Sequence, residues 1–261
     1  MPRNPRHDAI LAILGVRRSV SVGELTERLS VSEVTVRKDL SLLEDGGHLV
    51  RTRGGASMAE DPTVLRPVQI RRRESISIKR RIAIRAAALI RDGETVFVDS
   101  GTTCALFAEQ LRDRDLCVVT NSIDVVTVLR DAEGIQLYAI GGSYRREAGS
   151  FIGPTAIENL ARFHFDSAYI GTAGISEAGV LSSQNVNEAE VKRAAIAAAR
   201  RRVLLCDASK FGVRAFSTFA GPDDIELIVM DENPTVHQAL RTLGMETIVA
   251  TAAQKEQKEK K

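Results

Sequence analysis

From Lys79 onward the chain alternates short apolar runs with amphipathic segments, and that alternation leaves few folds open. The runs are Thr95–Asp99, Leu116–Thr120, Ile135–Ile140, Ser167–Gly171, Arg202–Cys206, Ile225–Met230 and Glu246–Ala250. Between most of them lie stretches of helical periodicity, at Thr103–Leu111, Ser122–Leu129, Glu188–Ala199 and Thr235–Leu243. Strand, helix and strand at this spacing predict an α/β domain, a mostly parallel sheet covered by helices on both faces. Runs such as Val96-Phe97-Val98 and Leu227-Ile228-Val229-Met230 lack the alternation of a half-exposed strand and fit strands buried on both sides.

That α/β pattern does not occupy the whole chain. With 261 residues the sequence exceeds the usual size of one domain. Its pattern divides it into an N-terminal unit over 1–57, a linker over 58–78, an α/β unit over 79–251 and a charged tail over 252–261. The linker is polar, broken by Pro62 and Pro67, and carries Arg71-Arg72-Arg73. Composition is ordinary for a globular protein, 44% hydrophobic and 27% charged. A net charge of +2 neither implies nor excludes nucleic acid, so any basic site must be local. No apolar run approaches the ~20 residues of a membrane span. No apolar segment follows Met1-Pro2-Arg3-Asn4-Pro5-Arg6-His7, so no secretory signal is expected and the expected location is the cytoplasm. Cys104, Cys117 and Cys206 are far apart without CxxC spacing. They are expected to be free thiols, and neither a metal nor a cofactor is expected.

The N-terminal unit reads as short helices. Ile10, Ile13 and Leu14 form one apolar face, and Gly15 is placed to end that helix. Ser21-Val22-Gly23-Glu24 has capping-box spacing and opens a second helix that buries Leu25 and Leu29. Ser32 caps a third, with Val36, Leu40 and Leu43 inward, and Gly46-Gly47 stops it. Two short helices joined tightly form a helix-turn-helix, whose second helix enters the major groove by its N-terminal end. Ser32, Thr35, Arg37 and Lys38 face outward there, hydroxyls and cations suited to phosphates and base edges. Arg51 and Arg53 alternate in a short β-wing and are expected along the DNA backbone or minor groove. A three-helix domain with a solvated charged face would show the same periodicity. The hydroxyl-rich cap and the arginine wing favour DNA. Asp39 is assigned to structure, paired with a nearby cation.

In the α/β unit the first apolar run ends as Asp99-Ser100-Gly101-Thr102-Thr103. A glycine-containing turn at a helix N-terminus aims free backbone N–H groups at one point, with the helix dipole behind them. Such a pocket suits a phosphate, and a carboxylate at the strand's end suits sugar hydroxyls. An ordinary strand-to-helix turn capped by Ser100 or Thr102 explains the same residues. Later runs end in similar chemistry, at Thr120-Asn121-Ser122, Gly141-Gly142 followed by Arg145, Gly171-Thr172-Ala173-Gly174 and Asp207-Ala208-Ser209-Lys210. Repeated small polar endings on one sheet edge favour a shared cleft. Lys192 faces either that cleft or solvent; on a solvated face it would pair with Glu188 at i,i+4.

The run Val31–Ala56, VSEVTVRKDLSLLEDGGHLVRTRGGA, resembles the signature of the DeoR family of bacterial transcription regulators. Lys38 stands where arginine is usual, and Arg53 where histidine is usual. DSGTT, TNS, Gly141-Gly142, Gly153, GTAG, EAEVKRA and DASKFG follow in the order typical of that family's effector domain, itself similar to the sugar-phosphate isomerase fold. The resemblance covers roughly residues 6 to 231. It implies a winged helix-turn-helix followed by a sugar-phosphate-sensing domain, with Asp99, Ser100, Gly101, Thr102 and Thr103 lining the site. Thr120, Asn121, Gly141, Gly142, Arg145, Lys192 and Lys210 are further candidates.

The function expected is therefore a repressor of carbohydrate genes rather than an enzyme. It would bind a double-stranded operator as a dimer or tetramer, under control of a phosphorylated sugar, with no membrane partner. A sugar-phosphate isomerase or deaminase with an accessory DNA-binding domain is the alternative, drawing Asp99 or Glu188 and Lys192 or Lys210 into acid–base roles. A domain serving only oligomerisation is a third reading, disfavoured by the polar strand ends.

Overall fold

The computed structural model describes residues 5–17, 19–45, 49–52, 54–58 and 75–251. Gly46-Gly47, Arg53, most of the 58–78 stretch with its arginine triplet, and the 252–261 tail lie outside the described residues. The chain divides into two compact units, Met1–Val64 and Leu65–Lys261.

In the first unit α1 (Pro5–Arg17), β1 (Ser19–Ser21), α2 (Val22–Leu29), α3 (Glu33–Asp45), β2 (Leu49–Thr52) and β3 (Gly55–Met58) follow in order. Gly15 does not end α1, which runs on to Arg17; a single glycine costs a helix only about 1 kcal/mol. The Ser21 capping box forms on both sides, with the Glu24 amide donating to Ser21 Oγ and the Ser21 amide to the Glu24 carboxylate. These bonds from Ser21 hold the Glu24 carboxyl below its usual range. α2 ends at Ser30 in the left-handed region. Ser32 Oγ accepts from the Thr35 amide at 3.3 Å and so caps α3. The strands pair antiparallel in the order β1-β3-β2. Gly55 is required where β3 crosses β1, because a Cβ there would sit 2.1 Å from the Val20 carbonyl oxygen.

Ile10, Leu14, Leu25, Val36, Leu40, Leu43 and Leu49 form this unit's core, with Ile13 and Leu29 packed at its margin. Asp39 is 3% exposed inside α3. It is held by the Arg6 guanidinium, with one bond of 2.9 Å, and by His7 Nε2 at 3.1 Å. Arg6 foremost, and His7 after it, hold its carboxyl below the usual carboxylate range. The pair fastens the start of α1 to the middle of α3.

The second unit is a seven-stranded parallel sheet with smaller pieces around it. Its elements are α4 (Ile76–Ala87), β4 (Thr95–Val98), α5 (Thr102–Glu109), β5 (Leu116–Thr120), α6 (Ile123–Leu129), β6 (Ile135–Ala139), β7 (Ser143–Arg145), β8 (Ser150–Ile152), α7 (Pro154–Leu160) and β9 (Phe165–Gly171). After them come β10 (Gly174–Ile175), β11 (Leu181–Ser183), α8 (Val186–Ala197), β12 (Ala199–Leu205), β13 (Ser217–Ala220), β14 (Leu227–Met230), α9 (Pro234–Thr242) and β15 (Thr247–Val249). The main sheet runs β15-β14-β12-β9-β4-β5-β6, and each of its strands overlaps one of the apolar runs. α4 begins inside the stretch read as linker. β7 pairs with β8, and β10-β11-β13 form a small antiparallel sheet. These strands of two to four residues are too short to show a period in the sequence.

Alternate residues of each central strand enter different cores. Phe97, Ala168, Ile170, Leu204 and Ile228 pack with residues of α7, α8 and α9. Val96, Val98, Tyr169, Val203 and Val229 pack with residues of α4, α5 and α6. Burial on both faces is why these strands read as continuous apolar runs.

The sign of the Asp39 effect fixes a prediction. A carboxyl depressed in the folded state stabilises above its unfolded pKa, and the contribution is lost as pH falls through the folded value. Asp39→Asn should cost about 1 kcal/mol at neutral pH. It should also flatten the acid dependence of amide hydrogen exchange in α1 and α3. Unchanged exchange in both helices would contradict this role for the pair.

Candidate effector site and nucleic-acid face

The strand order reverses between β4 and β9. β4 is followed in sequence by β5 on one side, whereas β9 leads to β12 on the other. At such a switch point the helices leave in opposite directions and open a crevice beyond the strands' carboxyl ends. Asp99 follows β4 there and Gly171 ends β9.

Asp99 is fully buried. Its Oδ2 accepts the Gly171 amide at 2.9 Å and the Lys192 ammonium. Lys192 also donates to the Gly171 carbonyl at 3.0 Å, and its Nζ lies 5.6 Å from the centre of the Phe219 ring. Lys192 is 6% exposed and comes from α8, whose N-cap Asn185 takes the Glu188 amide at 3.2 Å. The i,i+4 pairing of Glu188 with Lys192 on a solvated face does not occur. Both side chains are buried, because α8 packs this face on the sheet, and each finds another partner. Glu188 accepts from Arg145 at 2.7 Å and from Ser183 Oγ at 2.9 Å, and Arg145 also lies 3.6 Å from Glu147.

The turn after Asp99 does not use Ser100 or Thr102 as its cap. The N-cap of α5 is Gly101, at φ 123°, with no side-chain hydrogen bond. By contrast, Ser122, Asn185 and Asn233 cap α6, α8 and α9 through their side chains. The first amides of α5 thus depend on partners from outside the helix. Ser100 and Thr102 are buried beside them and Thr103 is partly exposed.

Asn121 follows β5 in register with Asp99, since Val98 pairs with Thr120. Thr120 is spent on structure, donating to the Val98 carbonyl at 2.6 Å and accepting the Ser122 amide at 3.0 Å. β8 reaches the same edge, where the Phe151 amide donates to the Asn121 carbonyl at 2.7 Å and Ser150 bridges Ser122. Asp99 Oδ1, Asn121 Oδ1 and Ser150 Oγ are buried without a hydrogen-bond partner. Buried polar atoms are otherwise nearly always paired. Ser150 and Ser183 are not assigned to the site from sequence, and Glu188 enters there only as an acid–base group of the alternative enzyme reading. Ser150 and Ser183 lie on three-residue strands that carry no signal, whereas Glu188 shares a helix face with Lys192.

Other predicted residues sit differently. Gly142 is exposed, and a Cβ there would come within 2.7 Å of the Ile152 carbonyl oxygen, at φ 113°. That close approach accounts for its glycine. Lys210 ends a one-turn helix, Ala208–Lys210, and among the described residues no bond ties it to Asp99. Burial pushes the Cys104 and Cys206 thiols up, away from thiolate chemistry. Among the described residues no group of His, Cys, Asp and Glu could hold a metal ion, and no helix is long and apolar enough to cross a membrane.

In the first unit α3 turns Ser32, Arg37 and Lys38 outward, with Thr35 partly exposed. Ser32 and Thr35 share a hydrogen bond of 2.9 Å, and Arg37 rests 3.2 Å from Glu33. An exposed pair of that kind contributes little and releases readily. Arg51 is anchored, its amide on Glu44 and its guanidinium on Ser41 at 3.1 Å.

Residues 6–61 match the model of the DeoR-like helix-turn-helix domain, and residues 74–232 that of the DeoR C terminal sensor domain. The HTH-type transcriptional repressor GlcR of Bacillus subtilis (strain 168) is 36% identical over 90% of this chain and 90% of that protein. The glycerol-3-phosphate regulon repressor of Escherichia coli (strain K12) is 32% identical over 90% and 94%. The lactose phosphotransferase system repressor of Lactococcus lactis subsp. lactis is 32% identical over 81% and 84%. Among solved structures, a ribose 5-phosphate isomerase A from Methanocaldococcus jannaschii is similar over 53% of this chain and 55% of that one, at 19% identity and a TM-score of 0.40.

The buried pair gives a direct test. Lys192→Met strands the Asp99 carboxylate and should cost about 3–5 kcal/mol in urea unfolding. The double variant Asp99→Asn/Lys192→Met should recover much of that loss. Additive effects of the two substitutions would show that the groups are not coupled.

Proposed function

The chain belongs to the DeoR family of transcriptional regulators, and on that premise we propose that it is a repressor whose hold on DNA is set by a phosphorylated sugar bound at the Asp99 edge of the sheet. The observation that carries the reading is the set of enclosed polar atoms at the strand-order reversal. Asp99 Oδ1, Asn121 Oδ1 and Ser150 Oγ are buried and unpartnered beside a helix whose first turn has no side-chain cap. Carboxylate and amide oxygens are acceptors for sugar hydroxyls. The first amides of α5, with Ser100, Thr102 and Thr103, supply donors for a phosphate. Two of the relatives are repressors of a glycerol-3-phosphate regulon and of a lactose phosphotransferase system, which supports a phosphorylated carbohydrate as the ligand class.

The cations divide by what already holds them. Lys192 is committed to Asp99, so it holds that carboxylate in one orientation. Arg145 is shared between Glu188 and Glu147 and stands on the short β7–β8 hairpin. It is the cation best placed to exchange a protein carboxylate for a ligand phosphate, in bidentate geometry. Gly141, Gly142 and Lys210 contribute at the rim.

In the first unit Ser32, Thr35, Arg37 and Lys38 meet the operator from α3. Arg51 runs along the backbone from the wing, and the same role is assigned to Arg53, which lies outside the described residues. The protein acts in the cytoplasm as a dimer or tetramer, with half-sites spaced by its own symmetry. The ligand relieves repression to the extent that it binds the DNA-incompetent arrangement more tightly than the competent one.

Fluorescence anisotropy on duplex DNA from the protein's own upstream region, titrated with a panel of sugar phosphates, tests the whole reading. One compound should release a salt-sensitive complex. Asn121→Ala should weaken the response to that compound about tenfold, the cost of one lost buried hydrogen bond, with DNA affinity unchanged in its absence. Arg37→Ala should instead weaken DNA binding by about 1–3 kcal/mol if it reads a base. A complex that no sugar phosphate alters would reject the ligand assignment.

A further inference from the structure

Val34 sits in the first turn of α3 and is 77% exposed, the most exposed large hydrophobic residue among those described. Valine is among the residues most often buried. At 3.6 residues per turn, Val34 lies opposite Val36, Leu40 and Leu43, which fix α3 to the core. Arg37, Lys38 and Ser41 stand at i+3, i+4 and i+7 from it, on the same outward stripe. Thus the N-terminal end of a stripe that goes on in cations and a hydroxyl is apolar, and the other exposed apolar residue of α3, Leu42, lies more than two turns further along the helix.

We infer that Val34 reads the 5-methyl group of a thymine in the major groove, a specificity contact set among backbone-positioning ones. The inference rests on the reading of α3 as the DNA-contacting helix. Of the base edges in the major groove, only that of thymine carries a methyl group. Lys38, one turn along the same stripe, holds the helix to the phosphates, which fixes its depth, and Arg37 beside it reaches a phosphate or a base edge. A β-branched side chain has one strongly preferred rotamer in a helix, so its two methyls are placed before binding and lose little freedom on contact. The hydroxyls of Ser32 and Thr35 are bonded to each other at the same end of the helix, which leaves Val34 as the side chain there that offers only apolar surface.

The test begins by selecting bound duplexes from a random library with the full-length chain. Each thymine of the enriched site is then replaced singly by 2′-deoxyuridine, which removes only the methyl group. One thymine in each half-site should show about a three- to fivefold loss of affinity for the unaltered chain. Val34→Ser should bind the thymine and uracil duplexes equally at that position, while Val34→Ile should keep the preference. The uracil scan of the unaltered chain stands whether or not a variant folds, and circular dichroism checks both variants. An enriched site with no methyl-sensitive position, or a preference that Val34→Ser retains, would overturn the inference alone. No enriched sequence would overturn the DNA-contacting role of α3 and this inference with it. An altered sedimentation coefficient for Val34→Ser without any thymine preference would likewise overturn it, by assigning the residue to a contact between copies.

Discussion

A carboxylate and an ammonium, both almost wholly removed from water, meet where β4 and β9 part company. Burying either ion alone costs several kcal/mol, so neither Asp99 nor Lys192 is tolerable at its position without the other. Gly171 completes the arrangement, giving its amide to the carboxylate and its carbonyl to the ammonium. The end of β4, the end of β9 and the middle of α8 are therefore tied at one point. Asp99 is left with one committed oxygen and one free, and a rigid group with a spare acceptor is what a recognition site needs.

The chemistry around that point follows from what each neighbour has left. Thr120 uses its hydroxyl to join β4 to β5, and Arg145 is shared between two carboxylates. Asn121 and Ser150 keep an oxygen that nothing among the described residues satisfies. The uncapped first turn of α5 adds donors of the opposite kind. Donors suited to an anion and acceptors suited to hydroxyls thus come from neighbouring strand ends, the chemistry on which the proposed ligand class rests.

The N-terminal unit solves a different problem with the same device. Asp39 within α3 is buried and held by Arg6 and His7 of α1, so one face of the helix is fixed by charge as well as by Val36, Leu40 and Leu43. The opposite face carries cations that lie outside the core. Arg37 is held there by nothing stronger than an exposed pair with Glu33, and it is free to exchange that partner for a phosphate or a base at little cost.

Periodicity was enough to place every strand of the main sheet and the helices that bear the site, because strands buried on both faces must be apolar throughout and helix caps are local chemistry. The capping box at Ser21 and the cap at Ser32 are legible for the same reason. The sequence likewise marks Asp99 as a strand end and Asp39 as an ion in need of a cation. Which cation it could not say. Arg6 lies 33 residues from Asp39, and Lys192 lies 93 from Asp99. Such pairings depend on the order in which strands assemble, and no local signal encodes that order. Glu188 and Lys192 illustrate the difference. Helical spacing puts them on one face and suggests that they pair with each other on the surface. Only the packing of α8 against the sheet turns that face inward, where desolvation makes each ion seek the opposite charge that the strand ends and the β7–β8 hairpin bring to it.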